Sequence, residues 1–230
     1  WIVLFFFLLL TGFNFYAGVA ALNRGPSEVT VVEAFFNTIF FWFGFVLVFP
    51  LITMRLFSEE YKMGTVEPLM TAPVRDSHVV LSKYCGALFF YIVLWLPSLL
   101  YFAVFNSVTR LDAAGAAGPY LGAYSMLLLI GMFYLSIGCL ASALTRNQIV
   151  AAVMSFSVIT LLFFTGLLTF FILNVTPALR ELTGYISALE HMSEASRGIF
   201  DSRPLVLYLS LTAFCIFLTF HVFQSRRWRN

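Results

Sequence analysis

The sequence predicts an all-α integral membrane protein with six transmembrane helices, and three observations carry that reading. Hydrophobic residues make up 61% of the 230 positions and charged ones 10%, with a mean hydropathy of +0.93. A soluble globule does not have this composition. Asp, Glu, Lys and Arg are absent from six windows, 1–23, 34–54, 84–109, 113–145, 147–179 and 204–225, and a hydrocarbon core of about 30 Å needs only about 20 helical residues to cross it. Lipid offers the backbone no hydrogen-bond partner, so the spans are helices or a closed barrel. The stretch FFNTIFFWFGFVLVF has none of the polar–apolar alternation of a barrel strand. Helices remain, at about 1–22, 32–54, 83–105, 120–144, 149–173 and 204–224, in a single domain over 1–230.

The first span holds Gly12, Asn14 and Gly18. The chain opens at Trp1 already inside a span, with no Met, no basic n-region and no cleavage signal of a secretory leader. Native residues are therefore expected before Trp1. Asn23 to Ser27 form a turn of helix breakers. The second span, Val32–Met54, is crowded with Phe, and Pro50 near its end should bend it.

Arg55 to Lys83 is the longest polar run on the side read below as cytoplasmic. Leu56–Lys62 can extend as an amphipathic helix that stops at Gly64. Thr65 then suits an N-cap, with Glu67 and Pro68 in the first turn of a short helix over Val66–Thr71. Ala72-Pro73 ends that helix, because the residue before proline is driven out of helical geometry. Acids interspersed with Leu69, Met70 and Val74 suit seating in a partner's groove better than a plain solvated connection. Asp76 or Ser77 caps the third span, which continues past Lys83 with Pro97 as a kink. Residues 106–119 make the next loop.

Small residues then recur at four-residue steps, Gly138 with Ser142 and Ala151 with Ser155, which lets helices four and five approach closely. Only Thr145–Gln148 joins these two spans, so they are antiparallel neighbours. In 174–203 the apolar residues Leu179, Leu182, Tyr185, Ile186, Leu189 and Met192 recur at helical spacing, as in short helices at a membrane interface. The last span ends in Ser225, Arg226, Arg227 and Trp228, a basic-aromatic anchor.

Lys and Arg near the span ends set the orientation. One side collects Arg55, Lys62, Arg75, Lys83, Arg146, Arg226, Arg227 and Arg229; the other collects Arg24, Arg110, Arg180, Arg197 and Arg203. Eight against five places the 55–83 loop and the C-terminus in the cytoplasm. The net charge of +2 does not point to nucleic acid. Cys85, Cys139 and Cys215 are an odd set scattered through spans, which is neither a disulfide framework nor a metal site.

Chemistry is sparse. A phosphate-binding loop ends in Lys followed by Ser or Thr, whereas Lys62 and Lys83 precede Met63 and Tyr84. No ATP site is expected in this chain, and no catalytic residue. Glu190, His191 and Glu194 have the spacing of a metal set and keep open an alternative, a membrane-embedded metal-dependent hydrolase. The plainer reading makes them the polar face of an interfacial helix, with Arg197 pairing to Glu194 one turn away. Ionisable side chains are missing at mid-depth, which argues against a proton-coupled carrier. Asn14, Asn37, Thr38, Ser98, Ser155, Ser157, Thr160 and Thr165 are the polar groups there. They either bond between helices or line a route for an amphiphilic, apolar or lipid-linked cargo.

RLFSEEYKMGTVEPLMTAPV followed by LSKY resembles the cytoplasmic segment between the second and third spans of ABC exporter permeases of the type-two family, closest to the gliding-motility-associated branch. SALTRNQIVAA, SEASRGIFDSRPLVLYLSLTAFCIFLTFHVFQSRRW and WIVLFFFLLLTGFNFY resemble it too. The resemblance implies a half-transporter of the bacterial cytoplasmic membrane. It would pair with a second permease half, and cytoplasmic ABC ATPase subunits would bind the ATP and Mg²⁺; this chain would bind no cofactor itself. It also implies a cytoplasmic coupling helix between spans two and three, carried by Glu59, Glu60, Gly64, Thr65, Glu67, Leu69, Met70, Ala72 and Pro73, with Asn147 and Gln148 on the same face. Residues 174–203 would be an outer re-entrant helical segment, with Glu190, His191, Glu194 and Arg197 at the outer gate. Pro68 departs from the family's usual aliphatic residue, which would shorten the coupling helix. The gliding likeness adds a second alternative, a structural anchor of an envelope complex.

Overall fold

The computed structural model describes residues 2–22, 29–65, 75–109, 117–171 and 183–227. Among these, the regular structure is all helical: α1 (Ile2–Leu22), α2 (Val31–Phe36), α3 (Ile39–Thr53), α4 (Ser58–Met63), α5 (Asp76–Thr109), α6 (Ala117–Leu144), α7 (Gln148–Phe171), α8 (Ala188–Ser196) and α9 (Ser202–Arg227). Six stretches are long and apolar enough to cross a membrane: Val3–Leu22, Ile39–Met63, Asp76–Ser107, Gly118–Leu144, Gln148–Leu167 and Ser202–Ser225. The chain is an all-α membrane protein of six spans.

The second span does not run unbroken from Val32. Thr30 caps α2, its side chain accepting from the Glu33 amide at 3.2 Å. Asn37 closes α2 at φ −93°, ψ 1°, and the Thr38 hydroxyl turns back to the Ala34 carbonyl at 2.6 Å. Short polar side chains that bond the local backbone compete with helix continuation. The Thr38 hydroxyl, directly after the Asn37 cap, interrupts the Phe-rich run, and the span restarts at Ile39.

The helices gather into two compact units, one from Trp1–Phe45, Ile92–Leu128 and Leu161–Leu205, the other from Val46–Tyr91, Leu129–Thr160 and Val206–Asn230. The first has an aromatic core. Phe15 packs its ring against Phe35, Tyr101, Phe102 and Phe105 at centroid distances of 5.5–6.3 Å. Phe35 in turn meets Phe36 edge-to-face, the geometry that the ring quadrupole favours. The Asn14 side-chain amide donates to the Phe35 carbonyl at 3.0 Å, so a buried polar group of α1 is spent on holding the end of α2.

In the second unit Phe49 lies between Tyr91 and Tyr134. The glycines of α6 set its approach to its neighbours. A Cβ on Gly138 would lie 2.1 Å from Thr53 Oγ1, and one on Gly131 would lie 2.4 Å from the Tyr91 ring. Small residues here allow helices to touch where larger ones could not.

Candidate functional site

The family-like polar run begins at α4, and the structure shows how α4 is held. Its N-terminal residue, Phe57, provides no side-chain cap. The cap comes instead from Ser142 on α6, whose hydroxyl accepts from the Phe57 amide at 3.0 Å and the Ser58 amide at 3.2 Å. All three residues are fully buried. The first amides of a helix have no partner within it, so this hydroxyl satisfies donors that water cannot reach.

Lys83 of α5 grips the same elbow. Its Nζ donates to the Leu56 carbonyl at 2.6 Å and pairs with Glu60 Oε1 at 2.5 Å, and it stands 5.1 Å from the centroid of the Phe57 ring. Phe57 also packs against Phe223 of α9 at 5.9 Å. Glu59 and Glu60 occupy the first turn of α4 and Lys62 the last, the signs that a helix dipole favours. Gly64 closes α4 at φ +73°. Nothing lies within 4 Å of where its Cβ would be, so backbone conformation and not space requires glycine there. Lys62, Met63, Gly64 and Thr65 are exposed.

Glu67, Leu69, Met70, Ala72 and Pro73, and with them the helix expected over Val66–Thr71, lie outside the described residues. Asn147 caps α7, its side-chain oxygen accepting from the Ile149 amide at 2.9 Å, and Gln148 is the first residue of that helix. Helix capping is therefore a sufficient physical reason for Asn147.

A second polar cluster lies on α8, in the first unit. Ser187 caps it through the Glu190 amide at 3.2 Å. Arg197 does not pair with Glu194, as its spacing suggested. Its Nε meets Glu33 Oε1 of α2 at 2.8 Å, with the Glu33 side chain only 12% exposed and the Arg197 side chain 59%. Arg197 is the C-cap of α8, where its backbone amide already bonds the Glu194 carbonyl, and its side chain is thereby free to cross to α2. Gly198 follows at φ +83° against Pro119, and a Cβ on Gly122 would lie 2.2 Å from the Ala195 carbonyl oxygen. These contacts fix the C-terminal end of α8 to the start of α6.

Two cavities flank α8. One, of about 510 Å³, is lined by Asn37, Leu167, Leu189, Glu190, Ser193, Glu194 and Arg197. The other, of about 530 Å³, includes His191, Asp201 and Arg203. His191 is buried, and burial lowers its pKa below the usual 6.5 while the Asp201 carboxylate opposes that shift. Glu194 by contrast is exposed. Among the described residues no group of three His, Cys, Asp or Glu side chains converges as a metal-ligand set, so Glu190, His191 and Glu194 do not form the site that the hydrolase alternative needs. Asp201 caps α9 by accepting from the Arg203 amide at 3.0 Å.

A family model described as ABC-2 family transporter protein matches residues 1–166. Comparison with curated proteins gives no match. The family match extends from α1 through the α4 elbow, the Ser142 cap and most of α7. Its agreement with six apolar helices identifies the chain as a member of the ABC-2 transporter family, a membrane-spanning permease subunit of an ABC transporter.

Proposed function

We propose that the chain is one half of an ATP-driven exporter in the bacterial cytoplasmic membrane. It pairs with a second permease half and is driven by separate cytoplasmic ABC ATPase subunits that bind the ATP and Mg²⁺. The observation that carries this reading is the α4 end of the chain. A short, firmly held helix presents Lys62, Met63, Gly64 and Thr65 to solvent, with Met63 68% exposed, and leads directly into the acid-and-aliphatic run 65–74. A plain solvated linker has no need of a left-handed glycine stop behind a half-buried lysine tether. The sequence carries no lysine in a phosphate-binding loop, in keeping with an engine on another polypeptide. The excess of Lys and Arg at this end agrees with a cytoplasmic location, C-terminus included.

In this reading ATP-driven closure of the ATPase subunits pushes on Thr65–Pro73, just beyond α4, and the helices switch between two states whose populations nucleotide shifts. Residues 174–203, α8 among them, act as the outer gate. The polar side chains Asn14, Ser98, Ser155, Ser157, Thr160 and Thr165 within the charge-free windows are hydroxyls and amides, which suits an amphiphilic or lipid-linked cargo.

Affinity purification of the tagged chain from native membranes tests the reading. A nucleotide-binding subunit should co-purify in stoichiometric amount, and Gly64→Pro, which cannot adopt φ +73°, should lose it or uncouple it. Recovery of the chain with no nucleotide-binding partner under mild extraction refutes the proposal.

A further inference from the structure

We propose that Ser142 and Lys83 are positioning residues that carry displacement of α4 into α6 and α5; the inference rests on the reading of the chain as a permease driven from its α4 end. A six-residue helix has no stability of its own, so α4 moves only as its attachments move. Two of those attachments reach it from other spans.

Several serine and threonine hydroxyls of the same unit donate to a carbonyl one turn back in their own helix: Ser82 to Val79 at 3.0 Å, Ser136 to Phe133 at 2.6 Å and Thr53 to Phe49 at 2.8 Å, while the Tyr84 phenol crosses from α5 to the Met132 carbonyl of α6 at 3.0 Å. The bond one turn back is the ordinary use of a serine or threonine hydroxyl in an apolar helix. Ser142 departs from it. Its oxygen accepts two amides of the α4 elbow and also lies 3.4 Å from the Met54 carbonyl. One atom of α6 thus holds both the residue that follows α3 and the first residues of α4, across 84 to 88 positions of sequence.

Lys83 repeats the pattern from α5. A lysine only 17% exposed in its side chain is costly to desolvate unless it is paired and hydrogen-bonded. Here one ammonium meets a carbonyl before α4, a carboxylate within α4 and the face of Phe57 between them. Packing alone would be served by an apolar residue. What the charge adds is direction: Glu60 cannot swing without drawing Lys83 after it, while Phe57 against Phe223 gives the elbow a pivot on α9.

The test uses the chain in complex with its co-purified ATPase in lipid nanodiscs, followed by hydrogen exchange with and without a non-hydrolysable ATP analogue. In the wild type, nucleotide should change exchange in the α5 segment 76–90 and the α6 segment 138–144. Lys83→Met should cut the α5 change about fivefold and leave the α6 change in place; Ser142→Ala should do the reverse. Lys83→Arg, which keeps the donors and the charge, should retain the α5 response, and Ser136→Ala should alter neither. Glu60→Gln breaks the same ion pair from the other side and should weaken the α5 response as well, which covers a Lys83→Met protein that fails to fold. Full responses in Lys83→Met, Glu60→Gln and Ser142→Ala complexes overturn the tie and leave the permease reading standing. A wild-type complex with no nucleotide-dependent exchange anywhere in the chain overturns the permease reading and the tie together.

Discussion

Removal of one oxygen at position 142 should unfasten the start of α4. Ser142 Oγ accepts from the amides of Phe57 and Ser58 at 3.0 and 3.2 Å, and both residues are 0% exposed. Ser142→Ala leaves two amides with neither protein acceptor nor water. Each orphaned buried donor costs about 1–3 kcal/mol, so the pair costs roughly 2–6 kcal/mol unless the elbow moves to reach water. Either outcome opens the elbow. Amide hydrogen exchange at residues 57 and 58 reads this directly, because local opening free energies set the rates; 2 kcal/mol corresponds to about 30-fold faster exchange. Ser136→Ala is the matched control. That serine is equally buried on the same helix, but its hydroxyl returns to the Phe133 carbonyl and meets the Cys215 thiol, and its loss strands no backbone amide. Exchange at 57 and 58 that is the same, within about threefold, in the two variants refutes the view that Ser142 caps α4 across space.

Four further outcomes follow from the same geometry. The Glu33–Arg197 pair should be asymmetric: Arg197→Ala leaves a nearly buried carboxylate unpaired, whereas Glu33→Gln leaves an arginine that already meets water. Thermal unfolding should therefore show a loss of roughly 1–3 kcal/mol for Arg197→Ala and less than about 1 kcal/mol for Glu33→Gln, and equal losses would contradict the burial argument. Gly122→Ala puts a Cβ against the Ala195 carbonyl oxygen and should cost about 1–3 kcal/mol, seen as increased protease sensitivity around α8 with the spans intact. Gly64→Ala, strained by φ +73°, should cost about 1–2 kcal/mol, and Gly64→Asn should recover part of it in the same unfolding assay. His191 has its folded-state pKa pushed below the ordinary 6.5 by burial. Its contribution is intact above about pH 6.5 and is lost as pH falls from there through the folded value, because the unfolded chain takes up the proton first. Stability measured from pH 7.5 to 5 should drop less in His191→Phe than in wild type; an unchanged slope would show that other groups set it.

The features of this fold that were legible in the sequence are those that depend on neighbours along the chain. The absence of charge over six windows is a local property, and it located the six spans because lipid penalises each charge independently of what the rest of the chain does. Gly64 was readable as the stop of α4 for the same reason: a left-handed backbone at a helix end is a one-residue requirement. The break at Asn37-Thr38 was weakly signalled, since two short polar residues in a phenylalanine-rich run look like tolerated passengers until the Thr38 hydroxyl finds a backbone partner.

The through-space contacts carried no such signal. Ser142 read as a small residue on a packing stripe, and its spacing from Gly138 supports that use; nothing along the chain says that its oxygen reaches residues 57 and 58. Arg197 read as a partner of Glu194 because helical spacing is the only partner rule a single sequence supplies. The structure prefers Glu33, 164 positions away, because a C-cap arginine already engages Glu194 through its backbone and a nearly buried carboxylate needs a cation more than an exposed one does. The same logic covers Lys83. In a chain this apolar, a charged side chain that is kept partly buried is held by something, and the useful question of each one is which distant element holds it. For Lys83 and Arg197 the answers are α4 and α2, helices of six residues each that cannot stand alone, so these two charges are placed where helical propensity by itself could not hold the backbone.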